Sequence, residues 1–331
     1  MSNVMDTKIH EVVPGIYQLH LPLPMRPSIV NVYLVRDGDE WALIDTGMNS
    51  EDSIETFKTA LAQVGCPLTA VRQIFCTHHH ADHFGTSRMY KELTGATVFL
   101  NALEVSRIER MQSHTPLPEA LSFFRAHGVP IPESPDAMPT PGRYFGTLYD
   151  PTHPDHHLND NDVLRVGKRE IVVIWTPGHT AGHCCLYLPQ DKVLIVGDHL
   201  LPKITPHVGV YYFGPDNPLQ DFLNSQQKVQ QFDVDLVLPA HGGVFKDHRH
   251  RAQQIIQHHK YRLEEILDTI RRGHARTAYN IANEIFNFAQ ERPIFHMLAA
   301  TFETLAHLHL LMYDGKARRI EDEHNIKFVA Q

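Results

Sequence analysis

Thr77-His78-His79-His80-Ala81-Asp82-His83 closes the apolar run Val71–Cys76 and precedes a helix-like stretch, Gly85–Leu93. Alternate strand residues share a face, so His78 and His80, two apart at a strand end, project to the same side. Asp82 and His83 fall where the chain turns into the helix. The segment therefore offers three imidazoles and a carboxylate toward one point. That donor set suits a borderline cation such as Zn²⁺, or a harder one such as Fe or Mn. A single histidine at a polar strand end needs no ligand to explain it. The pattern His-x-His-x-Asp-His after an apolar strand points to a metal.

The same form recurs downstream. Apolar Ile171–Trp175 runs into Thr176-Pro177-Gly178-His179, where Pro-Gly forces a turn that presents His179. His183, four residues on, is the weaker candidate and reads as a neighbour that orients others. Ile195-Val196-Gly197 ends in Asp198, and Leu236-Val237-Leu238-Pro239-Ala240 ends in His241. Each is weak alone. Together they repeat one theme, a strand with a ligand-type side chain at its carboxyl end, which is how layered α/β proteins assemble a site.

Around these motifs the pattern predicts a strand at Glu11–Leu21 and a hairpin over Ile29–Asp45 turning at Asp37-Gly38-Asp39-Glu40. A helix at Ser50–Val64 is capped by Ser50, and a strand lies at Ala96–Leu100. Residues 101–161 stand apart, with helix-like Ala102–Met111 and Pro118–His127. A tract rich in Pro and His follows, through Pro132, Pro135, Pro139, Pro141 and Pro151–His157. A long irregular connection inside a domain is usually functional, and this one reads as an insertion covering the site. Strands resume at Val163–Val166, Glu170–Thr176, Cys184–Leu188, Lys192–Val196 and Val234–Pro239, with a helix at Asn217–Phe232. From Val244 the chain turns helical (Val244–Arg272, Ala275–Phe288, Phe295–Tyr313) and ends in an apparent hairpin, Lys316–Val329. The order predicts an α/β or α+β domain over 1–250 and a small helical domain over 251–331.

The 331 residues, 42% hydrophobic and 21% charged, are ordinary globular usage and long enough to bury a core without staples. Lys+Arg 30 against Asp+Glu 38 gives a net charge of -8, which disfavours long-range attraction to polyphosphate. No apolar run long enough for a membrane span and no secretory signal pattern is read, so a cytoplasmic protein is expected. Cys66, Cys76, Cys184 and Cys185 lack zinc-ribbon spacing and read as reduced core thiols. Histidine, at 25 residues, is in excess, and only its positions tell metal chemistry from surface use.

With Asp45 in Leu43-Ile44-Asp45-Thr46-Gly47, the His78–His83 motif, His179, Asp198 and His241, the chain resembles the metallo-β-lactamase-fold superfamily in all five motifs, in order, over about residues 10–245. The resemblance implies an αββα sandwich with a dinuclear metal site, two divalent ions of which Zn is the first expectation. By position, His78, His80 and His179 would hold one metal. Asp82, His83 and His241 would hold the other, and Asp198 would bridge. Asp45 would hold the motif loop without touching metal, and His79 matches no ligand position. Two metals sharing a hydroxide would attack a carbonyl or phosphoryl centre, with Asp82 or Asp198 passing protons.

Details narrow the expectation. The cysteine-ligand β-lactamases carry Cys where this chain has Asp198, and the lactonases' Tyr after the bridging Asp is missing from His199-Leu200-Leu201-Pro202. Ala299–Leu308 and Gly315–Arg319 are similar to the winged-helix-like domain of the β-lactamase-like-protein-2 subgroup, some members of which cut RNA. Arg271, Arg272, Arg276, Lys316, Arg318 and Arg319 could serve nucleic acid, though Glu321, Asp322 and Glu323 dilute them. The acidic balance and the insertion favour an ester, thioester or lactone of a small acyl substrate, with Phe123, Phe124, Tyr211 and Tyr212 as candidate pocket residues. An endoribonuclease, and a metal-free scaffold, are the alternatives. A homodimer is a further expectation from the family.

Overall fold

The computed structural model describes residues 9–112, 118–132, 138, 140–287 and 294–331. Pro135 and Pro139 of the proline tract, and Phe288 at the end of a predicted helix, lie outside them.

Seven strands form the first sheet in the order of the chain: β1 (Ile9–Val13), β2 (Ile16–Pro22), β3 (Ile29–Asp37), β4 (Glu40–Ile44), β5 (Val71–Phe75), β6 (Thr97–Leu100) and β7 (His156–His157). Between them lie α1 (Glu51–Gln63), α2 (Ala81–Phe84), α3 (Ser87–Thr94), α4 (Ala102–Met111), α5 (Pro118–Ala126) and α6 (Pro141–Phe145). The Ser50 hydroxyl caps α1 by accepting from Ser53 N, as its place before the periodic apolar run predicts. The second sheet contains β8 (Val163–Val166), β9 (Arg169–Trp175), β10 (Cys184–Leu188), β11 (Val193–Gly197) and β12 (Leu236–Pro239), in the order β12-β11-β10-β9-β8. Helix α7 (Pro218–Val229) leads into β12. The chain closes with α8 (His248–Arg272), α9 (Ala278–Phe286), α10 (Ile294–Tyr313) and the hairpin β13 (Ala317–Glu321)–β14 (Ile326–Ala330).

Burial explains the layering. Tyr33, Val35, Ala42 and Ile44 of the first sheet face Ile171, Val173, Leu186 and Ile195 of the second, and these residues make the central core. The alternate residues Val32, Leu34 and Leu43 turn outward under Phe57, Leu61 and Tyr90 of α1 and α3. On the far side Ile174, Cys185, Leu194 and Val237 are covered by Leu219 and Phe222 of α7, Ile255 of α8 and Leu305 of α10. Strands covered on both faces read as continuous apolar runs. The result is the four-layer αββα sandwich. Its second outer core runs without a break into the C-terminal helices.

Helix α10 is long and apolar enough, by length and composition, to cross a bilayer, but most of it is buried here. Leu298, Phe302, Leu305 and Leu308 are spent on the core. All four cysteines are buried and unpaired. Burial pushes the Cys66 thiol up to about 11 and that of Cys185 to about 12, so neither is a ready nucleophile.

Strand direction positions the site. β4 and β5 are parallel, as are β11 and β12. β9 and β11 both run antiparallel to β10, so they share a direction. The carboxyl ends that precede Asp45, His78, His179, Asp198 and His241 therefore gather at one edge. The two sheets are tied there. Cys184 N donates to Thr77 O (2.9 Å), and Asn31 Nδ2 and the Tyr33 hydroxyl donate to Pro239 O (2.8 and 2.7 Å).

Candidate metal centre

Asp45 begins the assembly. It leaves β4 with a positive φ of 61°, a left-handed conformation that costs a non-glycine residue about 1–3 kcal/mol and is retained at functional sites. Its carboxylate accepts from Thr77 N (2.8 Å) and the Thr77 hydroxyl (2.9 Å) and from His83 Nδ1 (2.8 Å). One buried carboxylate thus fixes the loop that follows β5 and turns His83 so that Nε2 faces inward.

The structure brings the seven sequence-named donors into three overlapping sets, each with donor atoms within 4.8 Å of one another: His78, His80 and His179; His78, His83 and Asp198; Asp82, His83 and His241. His80 Nδ1 lies 2.9 Å from His78 Nε2 and 3.1 Å from His179 Nε2. His241 Nε2 lies 3.1 Å from Asp82 Oδ2 and 3.5 Å from Asp198 Oδ1. Asp198 Oδ2 is 3.6 Å from His83 Nε2 and 3.7 Å from His179 Nε2, so it stands between the two groups.

The opposite ring nitrogens are mostly engaged. His78 Nδ1 meets the Thr77 hydroxyl (3.1 Å), His179 Nδ1 donates to His207 O (2.7 Å) and His241 Nδ1 donates to Ile29 O (3.1 Å). A proton on the outward nitrogen leaves a lone pair on the inward one. Burial, and then the neighbouring rings, holds His78 well below the ordinary imidazole value. Burial, and then His179, does the same to His80. Neutral imidazoles with lone pairs aimed at one point repel one another until a cation sits among them. His83 Nε2 and Asp198 Oδ1 are buried with no hydrogen-bond partner, which costs about 1–3 kcal/mol each unless something satisfies them. The residues fit divalent metal.

Electrostatics separate the two halves. Around His83 burial works against the charge, but Asp82, Asp45 and Asp198 outweigh it and hold the ring well above its ordinary value. His241, for the same reasons with Asp198 foremost among the carboxylates, is raised to about 9. The all-histidine set, with its rings held neutral, carries no charge of its own. The other set brings its own negative charge.

Several residues here were not singled out by sequence reading. Glu104 of α4 is fully buried. One oxygen accepts from His79 N (3.0 Å) and from the His79 ring, and the other accepts from Gly182 N at 2.5 Å. Burial would raise this carboxyl, but the His79 ring and amide, with the Gly182 amide, outweigh it. Glu104 therefore joins the His78–His83 loop to the His179 loop, and it gives His79 a role outside the donor sets. In sequence it sits three residues after the cap Asn101 and reads as ordinary helix-start chemistry. His207 and Glu303 were also missed. Glu303 of α10 lies 3.8 Å from the His207 ring, whose backbone orients His179. His183 is buried, with Nδ1 on the Thr176 hydroxyl (2.8 Å), and lies outside the three donor sets.

The expected aromatic pocket divides. Phe124 is buried and stacks on Phe302 (5.8 Å between centroids), and Phe123 packs on His127 (4.5 Å). Both are taken up in packing against the C-terminal helices, because α5 lies on them. Tyr211 lies on the His207 side of the site, 4.9 Å from Phe302 and 6.4 Å from the His207 ring. Tyr212 packs on Phe213 (4.5 Å).

Residues 25–241 match the family model described as Metallo-beta-lactamase superfamily, and 263–331 match Metallo-beta-lactamase-like, C-terminal domain. A metallo-beta-lactamase family protein of Thermus thermophilus superposes with a TM-score of 0.83 at 30% identity, covering 97% of this chain and 100% of that one. A beta-lactamase-like protein 2 homolog of Caenorhabditis elegans is 23% identical over 81% of this chain and 74% of its own length. An acyl-coenzyme A thioesterase of Gallus gallus is 27% identical over 65% of this chain and 73% of its own length.

Proposed function

From the premise that this chain belongs to the metallo-beta-lactamase superfamily, we propose that it is a two-metal hydrolase of small acyl substrates, with thioesters first and esters or lactones next. The observation that carries the reading is the convergence of three donor sets at one sheet edge, with four of the five imidazoles engaged by protein at their outward nitrogens. His78, His80 and His179 would hold one ion and Asp82, His83 and His241 the other, with Asp198 between the two sets. Such ions supply a nucleophilic water at neutral pH and polarise the acyl carbonyl. Zn fits the nitrogen-rich donors, and Fe or Mn fits the two carboxylates.

The protein's own part is positioning and proton transfer. Hydrolysis forms a C–O bond from water to the acyl carbon and breaks the bond to sulfur or oxygen of the leaving group. Asp82, with 20% of its side chain exposed, sits between the buried donors and solvent. It takes the proton that water gives up and returns it to the leaving thiolate or alkoxide. Asp45 and Glu104 keep the two donor loops in register.

The endoribonuclease alternative is weakened by charge pairing. Arg272 and Arg276 both reach Glu284, Arg271 meets Asp268 (3.4 Å), Lys316 meets Asp314 (3.0 Å) and Arg319 meets Glu321 (2.6 Å). With five of the six basic residues paired to their own neighbours and Arg318 alone of the six without a carboxylate among the described residues, the set draws phosphate weakly. The test is a parallel assay of p-nitrophenyl esters, acyl-coenzyme A thioesters, lactones and a structured RNA, with metal analysis of the purified chain. Turnover of an acyl substrate by metal-bearing protein is expected. Cleavage of RNA alone, or a chain that binds no transition metal, overturns the reading.

A further inference from the structure

Several arginines in this molecule meet carboxylates. Arg88 pairs with Asp150, Arg165 with Glu170 and Arg262 with Glu265. Arg107 and Arg110 on α4 do not. Among the described residues neither guanidinium forms an ion pair with an Asp or Glu. Both are drawn instead to one aromatic ring: their Cζ atoms lie 4.3 and 4.6 Å from the centroid of Phe213, and Arg110 also lies 5.7 Å from Tyr212. Arg107 donates to Phe213 O (3.3 Å) and packs onto Gly214, where a Cβ would come within 2.9 Å of its guanidinium.

Their position ties them to the metal centre. Arg107 is one helical turn beyond Glu104, which holds the His79 amide between two metal donors. Phe213 ends the segment in which His207 orients His179 and Tyr211 packs on Phe302. The contact of Arg107 with Phe213 thus joins two segments that each grip a donor loop. Two like charges beside one ring, with no carboxylate in contact, repel each other, and an anion relieves the repulsion while accepting their unused N–H groups. The ring contact of either guanidinium, and the one bond Arg107 gives to Phe213 O, use only part of its five N–H donors.

We propose that Arg107 and Arg110, set on Phe213, receive an anionic group on the leaving-group handle of the substrate. This rests on the acyl-hydrolase reading and narrows it. The acyl carbon sits at the metals, and the handle runs toward α4 and carries phosphate or carboxylate. A coenzyme A thioester supplies phosphate, a glutathione thioester supplies carboxylate, and an N-acetylcysteamine thioester supplies neither.

One acyl group presented on these three thiols to the wild type and to R107Q/R110Q separates the possibilities. The wild type is expected to prefer a handle that carries an anion. Preference for coenzyme A identifies phosphate as the source, and preference for glutathione identifies carboxylate. In the double variant the preferred substrate's KM rises by roughly ten-fold or more per guanidinium removed, with a smaller change in kcat, and the preference over N-acetylcysteamine collapses. A wild type that ranks the three alike, or a folded variant that keeps its preference, overturns the proposal.

Equilibrium binding of desulfo-coenzyme A and of S-methylglutathione gives a readout free of turnover. Loss of binding in the double variant supports the site, and equal binding in both proteins overturns it. If none of the three thioesters is hydrolysed while binding still depends on the arginines, the thioesterase reading fails and the anion site stands.

Discussion

Two regions of this molecule bury histidines in contact, and they are built to opposite ends. At the sheet edge, His78, His80 and His179 aim ring nitrogens at one another while three carboxylates face the adjoining His83 and His241. In the C-terminal helices, His259 of α8 and His307 of α10 share one ring-to-ring hydrogen bond. His307 Nδ1 donates to Glu303 O (2.7 Å), which leaves its Nε2 to accept from His259 Nδ1 (3.1 Å). The second pair is satisfied by protein except at His259 Nε2, which is buried without a partner, and burial holds both rings neutral. The first satisfies itself only around a cation. A high histidine count therefore says little, whereas the direction of each lone pair says what the cluster is for.

The comparison can be broken most severely at His80, which faces two other donors. H80A is expected to lose bound metal and hydrolysis together, by more than the roughly 100-fold typical of removing an outer partner. Metal content by elemental analysis and turnover on one substrate check it, and unchanged metal content contradicts the site. D198N is next. It keeps the fold but weakens occupancy of both sets, because the neutral amide faces rings that Asp198 now balances. A metal titration followed by circular dichroism separates lost affinity from lost fold.

E104Q is expected to lower metal affinity by about 10–100-fold, since Gln sets an N–H donor against the His79 or Gly182 amide. E104D, which keeps the charge, should restore part of it. A merely space-filling side chain at 104 would treat the two variants alike.

The His259–His307 pair gives the smallest effect and an opposite kind of readout. Burial, and then His307, lowers His259 to about 3, and burial lowers His307 to about 4. A histidine whose folded value is depressed binds its proton more readily unfolded. Its stabilisation is complete above the unfolded value near 6.5 and is lost as pH falls toward the folded values. The pair should cost about 2–3 kcal/mol of stability between pH 7.5 and 5.5. H259Q/H307Q should remove that part of the slope in denaturant unfolding at saturating metal. A slope unaltered by the double change sinks the assignment.

The donors were legible because each lies at the end of its own apolar strand. His78 and His80 share a face by the period of two, and Pro177-Gly178 dictates the turn before His179. There Gly178 packs so closely on Phe222 that a Cβ would come within 2.3 Å of it. Asp45 was legible only through its resemblance to a family motif, since a lone Asp after a strand has many uses. Glu104, His207 and Arg107 carry no such mark. Glu104 acts across to residues 79 and 182, and His207 acts back on 179. The packing of Phe123 and Phe124 was not legible, because an aromatic in an insertion looks the same whether it lines a pocket or packs on a helix more than 170 residues away.

Sequence alone determined the ligand-bearing strand ends, their order and most of the other strands, because periodicity and turn chemistry act over a few neighbouring residues. Glu11–Leu21, read as one strand, is broken into two at Pro14-Gly15, and β7 went unread. Only the tertiary structure decided which nitrogen of each ring faces inward, which carboxylate joins the two donor loops and which arginines sit on an aromatic ring rather than a carboxylate. Those choices are made by contacts between segments far apart in the chain, and no local pattern encodes the distance across which a side chain finds its neighbour.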